Sequence, residues 1–328
     1  LTLAEAKVGY ADKVEQNVID EFRRSSILLD KLTFDDTISP TGGSNLVYGY
    51  QRLETPSTAA VRQINSEYSP NEAKRTKCTA SPVILGGSFQ IDRVIAQTSG
   101  AINEMNFQIK EKTKAGANYF HNLVINGTSA STGTGYVPNT FDGLKKILTG
   151  KSTEMTTDID ISTSALLDSN YNALLDELDT FIALLAAKPD VLMMNSKMLT
   201  KVKSAARRAG YYDRNKDDFG RTVETYNGII LMDAGQYYNG STTEDVVSTS
   251  TPGSDTYGTT DIYAAKLGLD AFHGISVDGS KMLKTYLPDL QAPGAVKTGE
   301  VELIAGAVLK NSKMAGVLKG IKLLGKTA

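Results

Sequence analysis

Cysteine is nearly missing from the 328-residue chain: Cys78 stands alone, tryptophan is absent, and the two histidines, His121 and His273, lie far apart. One cysteine excludes an intrachain disulfide and any thiolate zinc site within one chain, and suits a reducing compartment. An excess of one charge is missing too. The 35 basic and 37 acidic residues leave a formal net charge of -2, so the whole surface is not the basic footprint of a nucleic-acid-binding domain. Long apolar runs are also lacking. The best, residues 181–187 and 301–309, fall short of the ~20 residues that cross a bilayer. The first thirteen residues lack the basic-then-apolar order of a secretory signal, and no membrane partner is expected. What remains is 41 % hydrophobic and 22 % charged, the composition of a globular chain long enough for one large domain or two ordinary ones.

Catalytic signatures are lacking as well. Gly150-Lys151-Ser152 imitates the end of a phosphate-binding loop, but Lys145 occupies the place of its first glycine and Gly143 comes two residues too early, so the backbone N–H groups are not spaced to wrap phosphates. Asp158 and Asp160 lack the glycine and the later glutamate of a calcium loop. Ser88 and Ser129 lack the flanking glycines of a nucleophile elbow. His121, late in a helical run beside Phe120, reads as a surface or interface histidine, and His273 sits before Gly274 in a strand-like run. The chain is therefore expected not to be an enzyme, with no catalytic residue, cofactor or metal. Lys310, Lys313, Lys319, Lys322 and Lys326 follow the last carboxylate, Glu302. They read as a solvated face in preference to a nucleic-acid patch.

The periodicities give an order of parts. Residues 1–24 predict a helix with a Thr2/Glu5 capping box and an apolar stripe of Tyr10, Val14, Val18 and Phe22. Residues 33–44 form a polar turn. Residues 46–53 and 79–93 read as strands flanking a polar stretch with Pro56 and Pro70, and Gly86-Gly87 reads as a bulge or bend. Such an excursion buries too little to stand alone. A long helix follows, capped by Ser99 and ended by Gly127, with Ile102, Met105, Ile109, Lys112, Gly116, Tyr119 and Leu123 as a stripe broken at Lys112 and Gly116. At ~1.5 Å per residue it is a rod of about 40 Å. Residues 168–210 form a compact α/β piece: a helix over 170–188 stopped before Pro189, a buried strand 191–194, and a second helix capped by Asn195 and ended by Gly210. Strands are expected at 229–232 after the Asn227-Gly228 turn, at 261–268 and at 272–278, with 300–310 and 315–322 as a terminal hairpin.

This order resembles a known family. The opening LTLAEAKVGYADKVEQNVIDEFRRSSILLDKLTFDD, VRQINSEY at 61–68, LGGSFQIDR at 85–93, DVLMMNSKMLTKVKSAARR, VETYNGIILMDAG and GEVELIAGAVLKNSKMAGVLKGI are similar, in order and spacing, to a tailed-bacteriophage major capsid protein of the Hong Kong 97 type. The resemblance implies an α+β fold with an N-arm (1–35), an extended β-hairpin loop (36–93) lying over a neighbouring subunit, a peripheral domain with a long spine helix (94–163), an axial α/β domain (164–278), and C-terminal strands returning to the peripheral domain (279–328). It implies an icosahedral shell of pentamers and hexamers around double-stranded DNA, in the virion after assembly in the host cytoplasm. The partners implied are other copies of the chain, scaffold, portal and decoration proteins, and DNA bound without sequence specificity. The basic residues Arg52, Arg62, Lys74, Arg75 and Lys77 of the loop are the candidate inter-subunit contacts. No local motif matches the lysine and asparagine through which the prototype cross-links. Alternatives are an encapsulin-like compartment, which shares the fold, a nucleotide-using enzyme, and a monomeric binding module.

Overall fold

The computed structural model describes residues 27–38, 46–94, 101–210, 213–216, 222–277 and 283–327. The helix expected over 1–24 and the Ser99 cap lie outside these residues. The chain opens with a short helix α1 (Ile27–Lys31) and strand β1 (Phe34–Asp36), then makes the expected excursion as an antiparallel hairpin, β2 (Tyr48–Thr55) and β3 (Lys74–Ala80). Between them residues 56–73 form a wide, fully exposed tip. The run expected as one strand over 79–93 is divided at Ser81-Pro82, and β4 (Val83–Asp92) belongs to another sheet. Proline has no N–H for a ladder, so the chain changes sheets there.

That second sheet is built around β15 (Val296–Leu309). One edge of β15 pairs β4 over ten residues, from Val296 opposite Asp92 to Ala305 opposite Val83; the other pairs β14 (Leu283–Tyr286) and β13 (Phe272–Ser276), with β1 parallel to β13. Gly86 and Gly87 are not a bulge: their register continues unbroken. A Cβ at Gly86 would collide with the Val301 carbonyl, and one at Gly87 would meet Lys112 Cδ at 3.3 Å. Both glycines are there for close approach.

Helix α2 (Ala101–Asn126) packs across β4 and β15. Its buried seam is Met105, Ile109, Thr113, Ala117, Phe120 and Val124, with Leu123 beside it. This corrects the expected stripe: Tyr119 stands 36 % exposed and Lys112 runs its stem over Gly87. The seam is unbroken because small residues fill the crossing. Thr113 hides its hydroxyl by donating to the Ile109 carbonyl at 2.8 Å, and Ala117 has no Cγ to intrude.

A seven-stranded sheet forms the other half of the molecule, in the order β5-β16-β12-β6-β9-β8-β7. Its members are β5 (Glu154–Thr156), β6 (Val191–Met194), β7 (Asp213–Lys216), β8 (Thr222–Tyr226), β9 (Ile229–Asp233), β12 (Gly258–Ala265) and β16 (Ala315–Leu324). Helices α4 (Ser164–Ala183) and α5 (Ser196–Ala209) cover one face, α4 against β16 and α5 against β9. α4 starts earlier than expected because Thr163 caps it, its hydroxyl accepting from Leu166 N–H. The Asn195 and Gly210 caps of α5 stand as expected: Asn195 Oδ1 accepts from Met198 N–H at 2.8 Å and Gly210 has φ 77°. The opposite face packs on the end of α2 and on α3 (Leu144–Leu148), so Val191 and Met193 enter one apolar cluster and Leu192 and Met194 another. A strand covered on both faces reads as a continuous apolar run. A small hairpin, β10 (Gln236–Tyr238) with β11 (Thr243–Asp245), packs against α2, where Tyr237 meets Tyr119 at 6.4 Å between ring centroids. The expected terminal hairpin does not form. β15 and β16 follow one another in sequence but lie in different sheets, joined through a 3-10 turn at Ser312–Met314.

Candidate inter-subunit surface

The hairpin is held at its root. Along β2 the side chains of Tyr48, Tyr50 and Arg52 alternate onto one face, and that face meets the end of β15. Arg52 Nε donates to the Lys310 carbonyl and Nη2 to the Leu309 carbonyl, both at 2.9 Å. Tyr50 donates to the Leu309 carbonyl at 3.4 Å. Tyr48 donates to Asp35 Oδ2 at 2.7 Å, carries the Lys310 ammonium 5.4 Å from its ring centroid, and has His273 edge-on at 5.7 Å. Burial, reinforced by the Asp35 carboxylate, holds the Tyr48 hydroxyl protonated well above its ordinary range. Burial and the nearby Lys310 keep His273 below its usual value. An open groove of about 570 Å³ lies beside the root, lined by Asp36, Ile38, Val47, Tyr48, Tyr50 and Lys77 among others.

Of the five basic candidates, Arg52 is thus used within its own subunit. Arg62 stacks over Tyr68 at 5.7 Å inside the tip and donates to the Ser66 carbonyl at 3.3 Å. Lys74, Arg75 and Lys77 line β3, exposed. The tip also exposes large apolar groups: Val61 is 100 % and Ile64 91 % exposed. Sequence reasoning missed the root cluster of Asp35, Tyr48, His273 and Lys310. The signal was the Tyr48-x-Tyr50-x-Arg52 alternation, but its partners are some 258 residues away.

The tempting motifs resolve into structure. Gly150 N–H donates to the Glu154 carboxylate, so the anion-binding turn is filled by the chain's own acid. Asp160 accepts from the N–H and hydroxyl of Ser162 as an Asx turn. In the C-terminal lysine run, Lys319 pairs with Glu154, Lys322 with Asp158 at 2.7 Å, and Lys322 and Lys326 lie over the Tyr257 ring. Among the described residues no group of three or more His, Cys, Asp or Glu could hold a metal ion.

The family described as SU10 major capsid protein matches residues 72–230, from the returning strand of the hairpin through α2 to β9. Over those residues the chain is similar to a phage major capsid protein. Solved structures share this chain's fold at low identity. The holo-SrpI encapsulin complex from Synechococcus elongatus PCC 7942 matches with a TM-score of 0.61 at 11 % identity, over 92 % of this chain and 89 % of that one. Mycobacterium phage Ogopogo matches with 0.54 at 12 % identity, over 90 % and 91 %. The virus-like particle from Pyrococcus furiosus matches with 0.51 at 11 % identity, over 94 % and 99 %. At such identities the likeness is one of fold. No curated protein matches the sequence.

Proposed function

We propose that this chain is the structural subunit of an icosahedral phage head, assembling with copies of itself as pentamers and hexamers around double-stranded DNA, without catalysis. One observation carries the reading: an 18-residue tip, residues 56–73, is exposed at every position on a two-stranded arm, a form that becomes stable only when another chain covers it. The layout follows: N-arm 1–35, extended loop 36–93, peripheral part 94–163 with 279–328, and axial part 164–278. β16 is the exception, since it pairs β12 and β5 in the seven-stranded sheet. Arg62, Lys74, Arg75 and Lys77 face a neighbouring copy, while Arg52 anchors the arm. Scaffold and portal proteins belong to the same reading, as does assembly in the host cytoplasm. Purified protein should sediment as large particles and show closed shells by electron microscopy; a persistent monomer would sink it. The encapsulin fold match at TM-score 0.61 favours a second reading, a protein compartment. Particles from the native source that hold enzyme cargo and no DNA would decide for it.

A further inference from the structure

Asparagine precedes glycine three times in the chain, at Asn126-Gly127, Asn227-Gly228 and Asn239-Gly240. Such a pair can react with itself, because no side chain on the glycine hinders its backbone nitrogen. The asparagine amide must be free to turn toward that nitrogen, and the peptide between the two residues must be free to swing. The fold treats the three pairs differently. Asn126 Nδ2 donates to Asn122 Oδ1 and to the Val246 carbonyl, both at 2.8 Å, and the Gly127 N–H donates to the Leu123 carbonyl at 2.9 Å. Both reacting groups are thus held at the end of α2. Asn239 Nδ2 donates to Glu244 Oε1 at 2.6 Å and to Thr242 Oγ1 at 3.2 Å, while its Oδ1 accepts from the N–H groups of Ser241 and Thr242, each at 2.9 Å. Four bonds fix that amide. Asn227 and Gly228 form the two-residue turn between β8 and β9, with Tyr226 opposite Ile229. Their φ values of 50° and 72° are those a hairpin turn of this length favours. Both residues are exposed. Among the described residues neither the Asn227 side chain nor the Gly228 N–H makes a hydrogen bond. Lys188 Nζ lies beside the turn, 3.2 Å from where a Cβ on Gly228 would stand.

We propose that Asn227 is a site of spontaneous deamidation in the folded protein, the one Asn-Gly pair of the three that the fold leaves free to react. The Gly228 nitrogen attacks Asn227 Cγ, and the new C–N bond closes a succinimide ring. The side-chain nitrogen leaves as ammonia, taking the proton that the Gly228 nitrogen gives up. Water then opens the ring and no oxidant or reductant is needed. Cleavage of the bond to Cγ gives aspartate; cleavage of the bond to the backbone carbonyl carbon gives isoaspartate. Either product places a carboxylate beside the Lys188 ammonium. Isoaspartate also adds a methylene to the main chain inside a two-residue turn. Tyr226 and Ile229, which the turn sets opposite each other, are both buried. A longer turn therefore strains the register of β8 on β9. The site is a property of the subunit and holds whether or not the chain assembles.

The test is peptide mapping by mass spectrometry of the purified chain, kept folded in mildly alkaline buffer and sampled over time. Asn227 should convert at least about tenfold faster than Asn126 or Asn239, because those two must first break their hydrogen bonds. In denaturant the three should convert at similar rates, since each then has the same glycine beside it and no fold to restrain it. Asn227→Gln should stay folded and lose the fast conversion. Freshly made Asn227→Asp carries the new charge without the extra methylene, and should melt above aged wild type. Asn126 or Asn239 keeping pace with Asn227 in the folded protein would overturn the assignment, as would an Asn227 that reacts only in denaturant. Aged wild type that melts with Asn227→Asp would overturn the strain on the β8–β9 register.

Discussion

Ile109 has no accessible surface, in the middle of the α2 seam against the β4–β15 sheet. Ile109→Ala leaves a cavity that a rigid helix and sheet cannot close, and should cost about 2–5 kcal/mol, read as a lowered midpoint in thermal or urea denaturation; an unchanged midpoint would contradict this packing. His121, on the same helix, has its imidazole pushed down to about 4 by burial. Its folded value is below that of the unfolded chain, so the unfolded state takes up the proton first. The stability it confers is complete above about pH 6.5 and is lost as pH falls toward 4, by roughly 1–3 kcal/mol. His121→Gln should flatten the fall in melting temperature between pH 7 and pH 4, and an unaltered profile would assign the acid sensitivity elsewhere. His273 shifts in the same direction, so part of the fall should survive that substitution.

At the scale of elements, the hairpin divides into an anchored root and a bare tip. The root is fixed by Arg52 on two carbonyls and Tyr48 on Asp35, whereas residues 56–73 have no core to resist local opening. Limited proteolysis should cut within 56–73 in free subunits and spare the same bonds in shells. Equal cleavage rates in both states would refute coverage by a neighbour. The excursion was legible in the sequence because Pro56, Pro70 and the scarcity of apolar residues left it without a core. The α2 seam was only half legible. Counting Lys112 and Gly116 as breaks assumed that a seam needs large apolar residues, whereas Thr113 and Ala117 serve better where helix and sheet approach closely. Gly86-Gly87 was misread for a related reason: a glycine pair in a strand can mark a bulge or a close neighbour, and only the neighbour's position decides.

For the whole molecule, two sheets share one core cluster, in which Leu85 and Leu303 of the first lie with Met193 and Val317 of the second. Such a subunit presents rigid faces, and its association should depend on those faces more than on internal rearrangement. Purified shells should also turn over no ATP or ester, since the Gly150 turn is closed by Glu154. A hydrolysis rate abolished by one substitution in this chain would overturn that expectation.

The sequence by itself determined the local parts. Caps at Asn195 and Gly210 and the doubly apolar run at 191–194 are set by neighbours a few residues away, so they can be read along the chain, whereas the helix expected to run to Pro189 ends at Ala183. The order of those parts was enough to suggest the family. The tertiary structure decided which strands meet. β15 and β16 are adjacent in sequence yet part into different sheets, because β15 finds ten residues of β4 and β16 finds β12. It also decided that Arg52 turns inward, because the carbonyls that hold it come from the far end of the chain. Pairing between distant segments is chosen by the surface buried when both are in place, and that sum appears in neither segment alone.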